Sequence, residues 1–249
     1  MATLQSAELR RHKERGLYDI DAISALFADC HLAHISYVRD EVPECLPMIA
    51  LVHTIDDNTA IYLHGHPSAG LMETVRQNPK DAEGNDIKKV KVCVTATKVD
   101  GLVLSSAPNG HTFNYRSAVV HGECTLVNDL EVKRDIMKGV TNHIIAGRWE
   151  DVNPVASFQV SLVSVIRVDI LSLSMKIRKG KPGIQPRNIE KDGPDHEVPV
   201  WTGTVPLYEV LDQPVASGLT ENAQIPPGLK KFIEERNKKH KSHSMSVAK

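Results

Sequence analysis

Apolar residues recur at helical spacing near the N-terminus and at strand spacing after it. Residues 20–30 carry apolar side chains at positions i, i+3, i+6 and i+7, and Asp19 or Asp21 can cap the first turn, which predicts a short amphipathic helix. The later apolar runs are rich in β-branched residues and are separated by turn-forming residues, which is typical of strands. They lie at 33–38, 45–55, 60–65, 90–105, 115–127 and 164–178.

Two segments between these strands predict helices. Residues 67–79 fit a short helix that ends near Asn78-Pro79, and residues 131–149 fit a longer one. The chain shows no regular alternation of strands and helices, so a parallel sheet is disfavoured. The pattern therefore predicts a mainly β fold, an antiparallel barrel with a few peripheral helices.

The composition of the chain changes after Gly180. Residues 1–183 are predicted to form the barrel domain, and residues 184–249 a C-terminal extension, rich in Pro and Gly at first, that packs on the barrel or on a partner subunit. The basic tail from Lys230 is predicted to be a solvated and partly disordered terminus.

Charge and cysteine usage limit the classes of function. Thirty Lys and Arg against 31 Asp and Glu give a formal charge of -1, which argues against nucleic-acid or acidic-membrane binding. The four cysteines have no zinc-site spacing and are interpreted as reduced thiols. The polar N-terminus lacks a signal sequence, and no run is long enough to span a membrane, so the cytoplasm is the expected location.

Polar residues concentrate where the predicted strand at 60–65 ends. Gly65 permits close approach of a ligand to the backbone, and Ser68 can cap the following helix, whose N-terminus would then suit a phosphate. A capped turn with two surface histidines explains the same residues. His64 and His66 also share one strand face, which would allow metal or haem contact, but a third protein ligand is missing and no metal site is predicted.

A second polar segment opens the strand at 115–127. Alternation sends Tyr115 and Ser117 to one face and Arg116 to the other. Arg116 could bind a phosphate through two parallel hydrogen bonds, or it could pair with a surface carboxylate. Lys176 and Arg178, after the last strand, could approach an anion or flank a loop.

In order along the chain, short motifs resemble the FMN-binding split barrels of the pyridoxamine 5'-phosphate oxidase-like group, which includes nitroimidazole resistance proteins. The resemblance covers about residues 10 to 183. Its motifs are ERGLYD (14–19), LPM (46–48), YLHGHPS (62–68), VTATKVDGLVLS (94–105), NYRSAVVHGECTLV (114–127), EVKRDIM (131–137) and SMKIRKGKP (174–182).

The resemblance implies a six-stranded antiparallel split barrel that forms a homodimer, with FMN in clefts at the subunit interface. The HGHPS turn would lie along the flavin, VTATK would supply backbone and hydroxyl contacts, NYRS would hold the phosphate, and the last strand would close the cleft. Many relatives carry a Ser-Arg pair where this chain reads Ser68-Ala69-Gly70. The implied cofactor-binding residues are Met48, His64, Gly65, His66, Ser68, Thr95, Thr97, Tyr115, Arg116, Ser117, Lys176 and Arg178.

The function that these motifs imply is that of an FMN-dependent oxidoreductase acting on a small organic molecule. Hydride would come from NADH, NADPH or the substrate, and His64 or His66 would donate a proton near the flavin. A flavin-binding or regulatory protein without turnover and a haem-binding split barrel are the alternatives. Oxidation of pyridoxamine phosphate itself is disfavoured, because the basic C-terminal pattern of those enzymes is missing.

Overall fold

The structure is a computed structural model that describes residues 8–84, 86–183 and 200–249. Six α-helices occur in these residues: α1 (Ile20–Asp29), α2 (Gly70–Arg76), α3 (Leu130–Ile144), α4 (Arg148–Asp151), α5 (Ser157–Leu162) and α6 (Pro227–Val247). The strands are β1 (Gly16–Leu17), β2 (Ala33–Arg39), β3 (Val42–Met48), β4 (Ala50–Ile55), β5 (Asn58–Gly65), β6 (Lys91–Leu104), β7 (Thr112–Val127), β8 (Ser164–Arg178) and β9 (Gly203–Pro206).

The strands form a nine-stranded sheet with the order β3-β2-β6-β7-β8-β5-β4, and β1 and β9 lie off this path. Strand pairs β2–β3, β2–β6, β4–β5, β5–β8 and β6–β9 are antiparallel. The mainly β fold with peripheral helices is therefore confirmed. The strand count differs from the expected six because the run 45–55 divides at Ile49 into β3 and β4, and because β1 and β9 are short additions.

Strand β3 lies at one end of this order, so one of its sides faces no other strand of the described chain. Pro43 pairs with Val38 of β2 and Pro47 pairs with His34. Proline has no N–H to donate, so both positions must be pairs without hydrogen bonds to β2. The backbone nitrogens of residues 43, 45 and 47 consequently point to the outer side of β3, and two of the three carry no hydrogen.

The chain divides into two compact units, Met1–Thr97 with Ser117–Met175, and Lys98–Arg116 with Lys176–Lys249. The long strands β6, β7 and β8 each contribute to both units. In the first unit, α3 packs Ile136 and Val140 against Tyr62 of β5 and Val165 of β8. The predicted N-terminal helix is confirmed, and the Asp19 carboxylate caps it by accepting the Ala22 N–H at 2.9 Å.

The predicted helix over residues 131–149 is two helices in the structure. Helix α3 ends at Ile144, and α4 begins at Arg148 after Gly147, whose φ of 79° lies in the left-handed region. A non-glycine residue is strained in that conformation, so Gly147 permits the change in chain direction. The backbone N–H of Trp149 donates to the Asn142 side chain at 2.9 Å and fixes the second helix to the first.

In the second unit, the basic tail forms helix α6, so the prediction of a partly disordered terminus is wrong for residues 227–247. The inward face of α6 carries half-buried apolar side chains in its first turns, Leu229, Phe232 and Ile233, and is held by polar groups after them. The Asn237 side chain donates to the Leu211 carbonyl at 2.8 Å and accepts the Leu211 N–H at 2.9 Å. His240 and Ser244 are buried one and two turns further along. Because these later anchors are polar, the tail has no apolar periodicity beyond Ile233.

Candidate functional site

The turn after β5 brings together three of the residues that the sequence assigned to flavin binding. Gly65 has no side chain, and a Cβ there would lie 3.2 Å from the Met72 terminal methyl and 3.5 Å from that of Met48. His64 is half-buried at the end of β5, and burial lowers the pKa of its imidazole. Two methionine methyl groups therefore occupy the space beside Gly65, next to an imidazole that is neutral at neutral pH.

Further along this turn, His66 and Ser68 form hydrogen bonds with each other. The Ser68 backbone N–H donates to His66 Nδ1 at 3.2 Å, and the Ser68 hydroxyl lies 2.7 Å from the same nitrogen. Because Nδ1 accepts, the neutral His66 ring carries its proton on Nε2. The prediction that Ser68 caps α2 is wrong: Ala69 is the N-cap residue and makes no side-chain cap. Helix α2 has only seven residues, and its N-terminus offers no basis for a phosphate site.

Gly70 stands in the Ser-Ala-Gly sequence that departs from the family pattern, and the structure gives a steric reason for it. A Cβ on Gly70 would lie 2.8 Å from the Tyr37 hydroxyl and 3.1 Å from an Arg39 guanidinium nitrogen. The Tyr37 hydroxyl donates to Glu44, and burial together with this bond raises the pKa of Tyr37 to about 12. Arg39 also approaches Glu73 at 3.6 Å. The space beside Gly70 is therefore occupied by side chains, and the carboxylates of Glu44 and Glu73 lie next to them, which disfavours a phosphate there.

Strand β6 presents hydroxyl groups on its outward side within the first unit. Thr95 is half-buried and Thr97 is exposed, and they alternate with the buried Val94 and Ala96. The Thr95 hydroxyl donates to the His34 carbonyl of β2 at 3.5 Å, a long bond that a better acceptor can replace. Both hydroxyls are suitable hydrogen-bond donors for a polar ligand.

In the second unit, Arg116 is engaged by a buried carboxylate. Its Nε donates to Asp100 Oδ2 at 2.9 Å and its Nη2 to Asp100 Oδ1 at 2.9 Å. Asp100 is 5% exposed, and His243 Nε2 lies 3.3 Å from its Oδ2. The alternative reading, that Arg116 pairs with a carboxylate, is confirmed, although the carboxylate is buried. Its neighbours Tyr115 and Ser117 are half-buried.

Arg178 is held at the end of β8 in the same unit. Its Nη1 donates to the Asn114 side-chain oxygen and to the Gly180 carbonyl at 3.2 Å, and its Nη2 donates to the Lys181 carbonyl at 3.2 Å. Asn114 is fully buried. Within the described part of the chain, Lys176 makes no hydrogen bond or ion pair, which leaves its ammonium group available to an anion.

Sequence reasoning missed Asp100 and Asn114, which accept hydrogen bonds from the two arginines, and His243, whose Nε2 lies near Asp100. One signal could have found Asp100. Residues 105–111 join β6 to β7, and Asp100 and Arg116 each lie eight residues from Pro108, so a hairpin places them opposite each other. The contacts of Asn114 and His243 depend on the second half of α6, for which the sequence has no apolar pattern.

An apolar groove of about 320 Å³ lies on the sheet of the first unit. It is lined by Val38, Pro43, Cys93, His121 and Leu171 among others, and Val38 and Leu171 are 61% and 42% exposed. Over the described ranges, no three His, Cys, Asp or Glu side chains lie close enough together to hold a metal ion. The described residues also contain no helix that is long and apolar enough to span a membrane.

Comparison with known proteins identifies the family. The family model described as pyridoxamine 5'-phosphate oxidase matches residues 19–177, and the chain therefore belongs to that family. The computed structure is similar to the flavocytochrome Anf3 of Azotobacter vinelandii, with a TM-score of 0.72, 23% identity, and coverage of 90% of this chain and 94% of that chain.

A second solved structure is similar over nearly the same length. It is the FAD and heme binding protein of Mycobacterium smegmatis, with a TM-score of 0.70, 21% identity, and coverage of 88% of this chain and 97% of that chain. At these identities the two structures establish the fold, including the region that follows the family match. No curated protein sequence matches the chain significantly.

Proposed function

We propose that this protein binds FMN and acts as a flavin-dependent oxidoreductase on a small organic molecule. The observation that carries the proposal is the family match over residues 19–177, which contains the HGHPS turn, the β6 threonines and the NYRS segment. A bound flavin would supply hydride-transfer chemistry. The chain would have to supply the binding surface, the orientation of the ring and a proton.

The described residues fit such a cofactor in their donor chemistry. The hydroxyls of Thr95 and Thr97 can donate hydrogen bonds to the polar edge of a planar ring. Of the three predicted cations, Lys176 has no hydrogen bond or ion pair within the described residues. Arg116 and Arg178 are oriented by their own partners, so they would contact a phosphate with a fixed geometry.

The two histidines of the turn would have different roles. His66 carries a hydrogen on Nε2 because its Nδ1 accepts from Ser68, and Nε2 can donate a hydrogen bond outward. Burial lowers the pKa of His64, so the proton-donating form of that ring is disfavoured. Of the two candidates, the exposed His66 is therefore the one proposed to face the flavin.

We further propose a homodimer with the cofactor at the subunit interface, NADH or NADPH as reductant, and a cytoplasmic location. The apolar groove that includes Val38 and Leu171 supports association of subunits, because exposed apolar patches commonly mark interfaces. All four cysteines are reduced in the structure, which is consistent with a reducing compartment.

The test is an absorption spectrum of the purified protein, with mass identification of any molecule released on denaturation. We expect flavin bands and FMN. A colourless protein that also fails to bind added FMN would exclude the proposal. Bound flavin that neither NADH nor NADPH reduces, across a panel of oxidised substrates, would favour a flavin-binding protein without turnover.

A second candidate is a protein that binds haem, alone or beside a flavin. The specific observation is that two similar structures, each covered over more than nine-tenths of its length, are described as a flavocytochrome and as an FAD and heme binding protein. His64 offers a neutral imidazole, the form that binds iron. A Soret band on haem addition that is lost in His64→Ala or His66→Ala would support this candidate.

A further inference from the structure

A polar cavity of about 430 Å³ lies in the first unit, at the end of α2. Its wall comes from the last residue of α2, from the loop between α2 and β6, and from the end of β7. It is referred to below as the loop cavity, and it is lined among others by Arg76, Lys80, Asp86, Lys89, Thr125 and Asn128. None of these six is among the residues proposed above to bind the flavin.

Hydrogen bonds hold the loop of this cavity in a defined shape. The Ile87 N–H donates to the Pro79 carbonyl at 2.9 Å, and the Asn78 side-chain amide donates to the Lys88 carbonyl at 2.7 Å. The Cys124 N–H of β7 donates at 2.8 Å to the last carbonyl before β6. The loop is therefore closed on itself and attached to β7, so the backbone positions of its cations are fixed.

Both lysines of the loop cavity have an acidic partner. Lys80 pairs with Asp86, whose side chain is 6% exposed. Lys89 approaches Asp169 at the longer distance of 3.5 Å, and Asp169 also contacts Arg167 at 2.8 Å. Two carboxylates therefore stand against three cations in these pairs, and one positive charge is left over.

Arg76 adds a second positive charge at the wall of the cavity. It is exposed, and its side chain makes no hydrogen bond or ion pair with the described residues. An excess of two positive charges matches a phosphate monoester, which carries a charge of about -1.5 to -2 at neutral pH. The chain as a whole has a formal charge of -1, so this excess is a local feature.

The end of β7 supplies neutral polar groups to the same wall. The Thr125 hydroxyl is buried and has no hydrogen-bond partner in the part of the chain that the structure describes. Buried polar groups are nearly always paired. An oxygen of a ligand in the cavity would supply that partner, and the exposed Asn128 amide would add a second neutral contact.

We propose that the loop cavity binds a phosphate group, carried by a small organic molecule or free in solution. An arginine can donate two parallel hydrogen bonds to phosphate oxygens, and a lysine adds a point charge. Small organic ligands occupy cavities of about 300–1,000 Å³. The loop cavity therefore has room for a sugar-sized group beside the phosphate.

The test measures binding of ribose 5-phosphate, ribose and inorganic phosphate to the full-length protein by isothermal titration calorimetry at low ionic strength. Arg76→Gln and Lys89→Gln each remove one cation of the cavity. Arg11→Gln is the matched control, because Arg11 is an exposed arginine of the same unit that has no partner among the described residues and does not line the cavity. Thermal unfolding reports whether each variant folds. The titrations are repeated with saturating FMN.

Ribose 5-phosphate should bind and ribose should not. Arg76→Gln should weaken this binding about tenfold, a typical loss for a charge-assisted contact, Lys89→Gln should weaken it by a similar or smaller factor, and Arg11→Gln should change it less than about twofold. Both results for inorganic phosphate support the proposal: equal affinity assigns the cavity to the free anion, and weaker affinity assigns it to an organic phosphate.

Three results would overturn the proposal. They are no binding of either phosphate, an equal loss in Arg76→Gln and Arg11→Gln, and competition by FMN, which would place the phosphate in the flavin site. Because the loop cavity takes no part in the proposed flavin chemistry, each of these results leaves the proposed function standing.

Discussion

The ion pair between Asp100 and Arg116 should be a major contributor to the stability of the second unit. The Asp100 side chain is 7% exposed and the Arg116 side chain 15%, and two hydrogen bonds of 2.9 Å join them. Asp100→Asn keeps the shape of the side chain and removes its charge, which leaves a guanidinium buried without a counter-charge. Breaking a buried pair in this way costs about 3–5 kcal/mol. That is a large part of the total stability of an ordinary domain.

Urea unfolding followed by circular dichroism measures this loss as a shift in the free energy of unfolding. Glu221→Gln is the matched control, because it removes an exposed carboxylate of the same unit and should change stability by less than about 0.5 kcal/mol. The Asp100→Ala and Arg116→Ala double-mutant cycle should give a coupling energy of at least about 1 kcal/mol. Additive effects in that cycle, or a loss below about 1 kcal/mol for Asp100→Asn, would refute the argument.

Three other predictions concern the first unit. Gly122→Ala should lower the free energy of unfolding in urea by about 1–3 kcal/mol, because a Cβ there would lie 2.6 Å from the Asp169 backbone oxygen. Gly139→Ala is the control: its Cβ would meet only the movable end of the Leu51 side chain, so the loss should be smaller. Burial lowers the pKa of His64, so the unfolded state binds more protons than the folded state, and the free energy of unfolding should fall as pH drops through about 6.5. His64→Gln should lose this pH dependence, and a variant that keeps it would contradict the prediction. Thiol reagents should modify the exposed Cys45 in the native protein but not the buried Cys124, because burial raises the pKa of the Cys124 thiol to about 12. Mass spectrometry of the labelled protein checks this, and a modified Cys124 in the folded protein would contradict it.

Local patterns made the core elements of the first unit predictable from the sequence. Helix α1 combines apolar periodicity with an Asp19 cap, and β6 to β8 are long β-prone runs bounded by turn residues. The division at Ile49 was not predictable, because a largely apolar run gives no signal of where the chain stops pairing with β2 and begins to pair with β5. The long helix prediction failed at Gly147 for a different reason: a glycine near a helix end is compatible with continuation, and only its backbone angle decides.

The segments that form the candidate site were predictable from the sequence, but the contacts that each of their residues makes were not. The sequence identified Arg116 and Arg178 as cations next to polar motifs. Their side-chain partners, Asp100 and Asn114, lie on β6 and β7. Asn114 in turn donates to the Val247 carbonyl of α6, a helix whose second half is anchored by an amide and a hydroxyl, so its composition resembles that of a disordered tail. Likewise, the absence of an arginine near residue 70 could be read from the sequence, whereas the closeness of the Tyr37 hydroxyl to Gly70 required the three-dimensional arrangement.

The two prolines of β3 also restrict how copies of this protein can associate. An exposed strand edge is a template for another chain, because its free N–H and C=O groups can extend the sheet. Pro43 and Pro47 remove two of the three outward N–H groups at residues 43, 45 and 47, so an incoming strand would find few donors there. Uncontrolled edge-to-edge aggregation through β3 is thereby disfavoured, and the proposed homodimer would have to form through side-chain packing and not by continuing the sheet at this edge.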